Sequence, residues 1–145
     1  MLVSVVMNLV SQLQTARTVH PVEAVEAVVN KEEILACMEQ AVNIHVDEAV
    51  MEYLLALVEA TRTNESLTAG ISPRGSIALY KAAQALAAVK GRSFVTPEDV
   101  KTLALPVFYK RIILKGDAII RGLTAQSIIR QILEAVPVPD FKAHV

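Results

Sequence analysis

The chain holds one cysteine, Cys37, among 145 residues. A disulfide framework is excluded, and the count fits a reducing compartment. Aromatic residues make up only 4%, although hydrophobic residues reach 53%. The apolar content is therefore Ala, Val, Leu and Ile, which suits close helix packing better than a sheet sandwich. Charge of one sign is not in excess. The net charge is −1, which disfavours a uniformly basic nucleic-acid binder. No apolar run approaches the roughly 18–20 residues of a membrane span. The longest uncharged stretch, residues 1–16, is interrupted by Ser4, Asn8, Ser11, Gln12, Gln14 and Thr15. It also lacks the positive leader of a signal peptide. The expectation is a soluble, cytoplasmic protein without a membrane segment. Internal repeats, low-complexity stretches and convincing alternating strands are all missing.

What remains is helical. The mean hydropathy is +0.43, high for a soluble chain. A single domain of this length can bury roughly 70% of its unfolded surface. Leu2, Val6, Leu9 and Leu13 recur at helical spacing, and residues 17–29, with Pro21, read as a linker. Asn30 and Glu33 then form a capping box, with Val29 able to staple onto Ile34. Leu35, Met38 and Val42 continue an apolar stripe, and Cys37 beside it reads as a small buried hydrophobe. Asp47 caps a second helix, with Val50, Leu54, Leu57 and Thr61 facing inward. Residues 63–71 read as a polar loop. Ser72 caps the next helix, with Pro73 at its first position. Leu79, Ala82, Ala83, Leu86 and Val89 mark its core face, and Gly91 ends it. Thr96 caps another helix, with Pro97 first, Asp99 third and Val95 stapling onto Val100. Pro106 should end or kink that helix, with a short helical piece over residues 107–114. Thr124 caps the last helix, where Leu123 staples onto Ile128 and Ile129, Ile132 and Leu133 extend the stripe. Residues 136–139 are extended. The fold class is all-α, a bundle of about five helices.

Several motifs tempt. Gly70 to Ser76 has the glycine spacing of a P-loop. The lysine after the second glycine is absent, Pro73 removes a backbone donor, and no strand is expected ahead of it. Ile44 to Glu48 mimics a strand ending in acids, but an N-cap aspartate with a first-turn glutamate explains both acids better. His20, His45 and His144 lack metal-ligand spacing with one another or with Cys37, so no metal site is expected. Lys110, Arg111 and Lys115, near Tyr109, are either a solvated helix end or a contact for an acidic partner or phosphate. Arg74 differs. A cation in the first helical turn is mismatched to the positive helix end. It is an exposed surface arginine, a partner for Glu65, or a guanidinium held for an anion that arrives from elsewhere.

These residues resemble a known family. From about His20 to Pro139 the chain is similar to the C-terminal helical lid domain of MoxR-type AAA+ ATPases. The resemblance rests on His20-Pro21, Ala60-Thr61-Arg62, Gly70-Ile71-Ser72-Pro73-Arg74 and Ala83 to Gly91 with Arg92. It continues through Thr96-Pro97-Glu98-Asp99-Val100, Arg111-Ile112 and Val136-Pro137-Val138-Pro139. It implies that Arg74 is the sensor 2 arginine, a catalytic and nucleotide-binding residue reaching the γ-phosphate of ATP. That ATP, with Mg, would sit on a large AAA+ domain, so the implied partners are that domain and neighbouring ATPase subunits of a ring. A Walker A lysine, a Walker B strand and sensor 1 are not among these residues. The chain alone is therefore expected to bind no cofactor and to be inactive. The family's role is chaperone-like remodelling or metal insertion, with no client named by the sequence. Gly75 departs from the family, which usually has alanine there, and residues 1–16 do not match.

The implied organisation is an N-terminal amphipathic helix and linker over 1–19, a lid over 20–139 and a tail over 140–145. The alternative is a free-standing helical protein-interaction or histone-fold-like DNA-binding module. Its support is the Thr96 helix start after an alanine-rich helix. The charge of −1 weighs against DNA.

Overall fold

The computed structural model describes Met7 and residues 26–139. The expected N-terminal stripe, most of the linker, His20-Pro21, His144 and the tail lie outside the described residues. The chain divides into two compact units, Met1–Leu35 and Ala36–Val145.

Helix α1 spans Lys31–Val42. Its start is the reciprocal box expected from the sequence. The Glu33 N–H donates to Asn30 Oδ1 at 2.8 Å, and the Asn30 N–H donates to Glu33 Oε2 at 2.8 Å. Its stripe, however, is not buried: Leu35, Met38 and Val42 are exposed. Cys37 is exposed too, which corrects the reading of a buried hydrophobe. A capping box needs only local sequence, whereas burial needs a facing surface.

Helix α2 spans Glu48–Arg62 and α3 spans Pro73–Val89. Asp47 Oδ1 accepts from the Ala49 N–H at 2.9 Å, so that acid is a helix cap, not the end of a nucleotide-binding strand. Val50, Leu54, Leu57 and Thr61 are buried as expected. On α3 the buried residues are Gly75, Leu79, Ala83, Gln84 and Ala87. Val89 is exposed instead, because it sits in the last turn before the chain leaves the bundle. Gln84 is buried although polar. Its Nε2 donates to the carbonyls of Val42 at 3.2 Å and Ile44 at 2.9 Å, satisfying acceptors left free where α1 ends. Gly91, at φ 69°, closes α3 in a Schellman turn. Its N–H donates to Ala88 O, and that of Arg92 to Ala87 O.

Helix α4 spans Pro97–Phe108. Val95 and Val100 are both fully buried on either side of the Thr96 cap. Pro106 lies inside α4 and does not end it. It falls in the last turn, where the Tyr109 N–H still reaches Leu105 O at 3.0 Å. The helical piece expected over 107–114 is therefore corrected to the end of α4, a turn and a strand. Strand β1 is Leu67–Ala69 and β2 is Ile113–Leu114, paired antiparallel. Both are too short to show alternation, so the sequence reading missed them. Helix α5 spans Gly116–Ile120 and α6 spans Ala125–Ala135. Thr124 and Ser127 form the box that starts α6.

Helix α3 packs on α2 and α4, and α6 closes against α2 and α4. Leu57, Leu79, Val100, Phe108, Ile128 and Ile129 are almost fully buried between them. Each such side chain stabilises the fold by about 1.5–3 kcal/mol relative to exposure. The all-α reading stands, with the two-stranded sheet as an addition. Among the described residues α3 exceeds α2 by only 17 residues to 15, so no long central helix of the histone-fold kind is present. No described helix is long and apolar enough to cross a membrane.

Candidate functional site

The start of α3 is fixed by the end of α2. The Ile71 N–H donates to Thr61 Oγ1 at 2.9 Å, and the Thr61 hydroxyl donates to Val58 O at 2.6 Å. Arg62 Nε donates to Ile71 O at 2.8 Å. Both backbone groups of Ile71 are thus held by consecutive residues of α2. Gly70 permits the approach. A Cβ there would lie 2.6 Å from the Thr61 carbonyl carbon and 2.7 Å from Arg62 Cα.

This clamp accounts for the P-loop-like glycines without a phosphate. Gly70 faces backbone, and a Cβ on Gly75 would lie 2.6 Å from Ile71 Cγ2. A strand does precede Gly70, contrary to expectation. It is the three-residue β1, and the loop still lacks its lysine. Gly70→Ala is expected to destabilise the chain by about 1–3 kcal/mol, as overpacking does, since backbone atoms cannot step aside. Thr61→Ala should cost a similar amount by leaving the buried Ile71 N–H unpaired, while Thr61→Ser recovers most of it. Urea unfolding of the three variants measures both.

Beyond the clamp the chain turns into the helix. Ser72 is the N-cap by backbone geometry, but its hydroxyl makes no capping bond. Its carbonyl accepts from the N–H groups of Gly75 and Ser76 at 2.8 and 3.1 Å. Pro73 takes the first position and Arg74 the second. Arg74 is exposed. Its side chain makes no ion pair or hydrogen bond among the described residues, and the pair with Glu65 is not formed. Beside it an open groove of about 610 Å³ runs between α2 and α3, lined by Leu55, Glu59, Arg62, Pro73 and Ile77 among others. A rigid, positive helix end therefore presents a free guanidinium to whatever lies above it.

The other end of α3 carries a cluster that sequence reasoning missed. Asp99 is fully buried. Arg92 holds it with two bonds, 2.8 Å to Oδ2 and 2.7 Å to Oδ1. Lys90 adds a bond of 3.0 Å, and the Thr96 N–H and hydroxyl add bonds of 3.0 and 2.8 Å. The usable signal was Lys90-Gly91-Arg92 ahead of a Thr96–Asp99 box, since the Schellman turn swings both cations toward the next helix start. The rise of α3, 17 residues, puts this cluster about 25 Å from Arg74. It joins α3 to α4 and is not part of the Arg74 site. Lys110, Arg111 and Lys115 are exposed. Among the described residues no three His, Cys, Asp or Glu side chains gather as a metal site would require.

A family model described as the AAA lid domain matches residues 59–132. The chain belongs to the AAA lid domain family. The matched span begins in the last turn of α2 and encloses the Ile71 clamp, Arg74 and Asp99. The lid is 40% identical over 126 residues to the protein YeaC of Bacillus subtilis (strain 168), covering 87% of this chain and 39% of that protein. It is 32% identical over 120 residues to Chaperone MoxR1 of Mycobacterium tuberculosis (strain ATCC 25618 / H37Rv), covering 77% and 32%. Protein MoxR of Paracoccus denitrificans matches at 35% over 83 residues, 48% of this chain and 24% of the relative. A crystal structure of a candidate ATPase from Cytophaga hutchinsonii superposes with a TM-score of 0.77 at 28% identity, covering 90% of the lid and 43% of that chain. This is a lid of the MoxR type. It spans less than half the length of each of these relatives.

Proposed function

We propose that this lid closes over ATP bound on a large AAA+ domain and inserts Arg74 toward the γ-phosphate. The observation that carries the reading is Arg74 itself: an exposed guanidinium without a partner among the described residues, on a helix start clamped at Ile71. The fork of donors suits phosphate oxygens, and the helix end adds positive potential. In this reading Mg²⁺ and its ligands would belong to the large domain. Closure would pass the nucleotide state to neighbouring subunits of a ring and drive chaperone-like remodelling of a protein client, metal insertion included. The name of one relative, Chaperone MoxR1, supports the remodelling part of this reading.

The test is ATP hydrolysis by a protein in which this lid replaces the matching segment of YeaC. Arg74→Ala should cut turnover sharply, and an unchanged rate would remove Arg74 from the mechanism. The purified chain by itself is expected to show no hydrolysis. Turnover that a lid substitution abolishes would overturn the assignment.

A further inference from the structure

The segment leading into β2 lies against the first turn of α3. The pairing of Leu67 with Leu114 and of Ala69 with Ile113 lines up two stretches. One runs from β1 through Gly70 and Ile71 to Arg74. The other runs from the end of α4 through Arg111 and Ile112 into β2. Arg111 packs beside Gly75. Its Cδ lies 3.4 Å from where a Cβ on Gly75 would stand, with Ile71 Cγ2 on another side of that position. The aliphatic stem of Arg111 therefore crosses the residue that follows Arg74. Its guanidinium is exposed and makes no ion pair among the described residues. Its one hydrogen bond there is weak, 3.3 Å from Nη1 to Val107 O.

We propose that Arg111 is a second phosphate-facing cation, which acts beside Arg74 on the same nucleotide, its stem packed against the first turn of α3. This rests on the reading of Arg74 given above. Two like charges at the positive end of a helix are unfavourable until an anion arrives. A polyanion such as a triphosphate relieves both at once.

The test uses the 145-residue chain with inorganic tripolyphosphate as the probe, following the arginine Nε–Hε signals by NMR. The signals of Arg74 and Arg111 should move together with one dissociation constant. Arg111→Gln keeps a Cδ to pack on Gly75 and removes the charge. It should weaken the binding seen at Arg74 by about fivefold, the scale of one exposed charge pair. Arg130→Gln, which removes one cation from α6, should leave the binding unchanged. If Arg74 moves while Arg111 stays still, and Arg111→Gln binds like the parent, the second cation is refuted and the Arg74 reading survives. If neither signal moves at millimolar probe, the paired-cation site is refuted, while the Arg74 reading stands or falls on the hydrolysis test.

Discussion

Arg74→Ala in the YeaC-based chimaera is expected to lower ATP hydrolysis at saturating ATP by about 10²- to 10³-fold. Fully engaged arginines on a transferring phosphoryl group are worth roughly 10³ to 10⁵. The lower figure applies because the groups of a large domain would remain in place. The effect should fall on kcat more than on KM, since charge on the γ-phosphate oxygens is redistributed in the transition state. Arg74→Lys keeps the charge but loses the planar fork, so it should recover only part of the rate. The fold offers an internal control. A cation in the first helical turn opposes the helix dipole by about 0.3–1 kcal/mol, so Arg74→Ala should leave the stability of the lid unchanged or slightly raised. A rate loss accompanied by a lowered melting temperature would instead point to a structural role.

Asp99→Ala is expected to destabilise the fold by about 3 kcal/mol. That is the lower end of the cost of breaking a buried ion pair, because Arg92 keeps 25% of its side chain exposed and Lys90 47%. Loss of the capping bond to the Thr96 N–H is part of this cost. The variant also tests the pH response. Burial alone would raise the Asp99 pKa. The bonds from Arg92, from the Thr96 N–H, from Lys90 and from the Thr96 hydroxyl outweigh it and hold the carboxyl far below the usual carboxylate range. The contribution is therefore complete above about pH 4, the unfolded aspartate value. It is lost progressively as pH falls below that toward the folded-state value. Urea unfolding should show the gap between parent and Asp99→Ala narrowing from about pH 7 to about pH 3. A gap independent of pH would mean that packing, not charge, carries the effect.

The legible parts of this chain were those set by neighbours in sequence. Asn30–Glu33, Asp47, Thr96–Asp99 and Thr124 all mark helix starts in the structure, because a cap needs only the next three residues. Val50, Leu54, Leu57 and Thr61 were readable because one helix face repeats. The misses share a different cause. Cys37 and the α1 stripe looked buried because periodicity reports a face, not what lies opposite it. β1 and β2 were invisible because two or three residues carry no period. Gln84 and Arg92 are polar residues whose roles depend on groups brought near by folding. At the candidate site, Arg74 was legible from its mismatch with the helix end. The grip of Thr61 and Arg62 on Ile71 was not, since nothing in a Thr-Arg pair specifies its acceptor.

The small sheet also sets an order of assembly. The bonds that anchor Ile71 span nine and ten residues of chain, and the Arg92–Asp99 pair spans seven. These loops are short and close cheaply. Leu67 must instead wait for Leu114, which leaves the ribosome only after all of α4. The bonds that fasten α3 at both ends are thus drawn from residues that precede Ile113, and the segment that lies across Gly75 follows them. Arg74 is thus set by contacts local in sequence, while the side of its turn that Arg111 covers is closed by a segment from beyond the next helix.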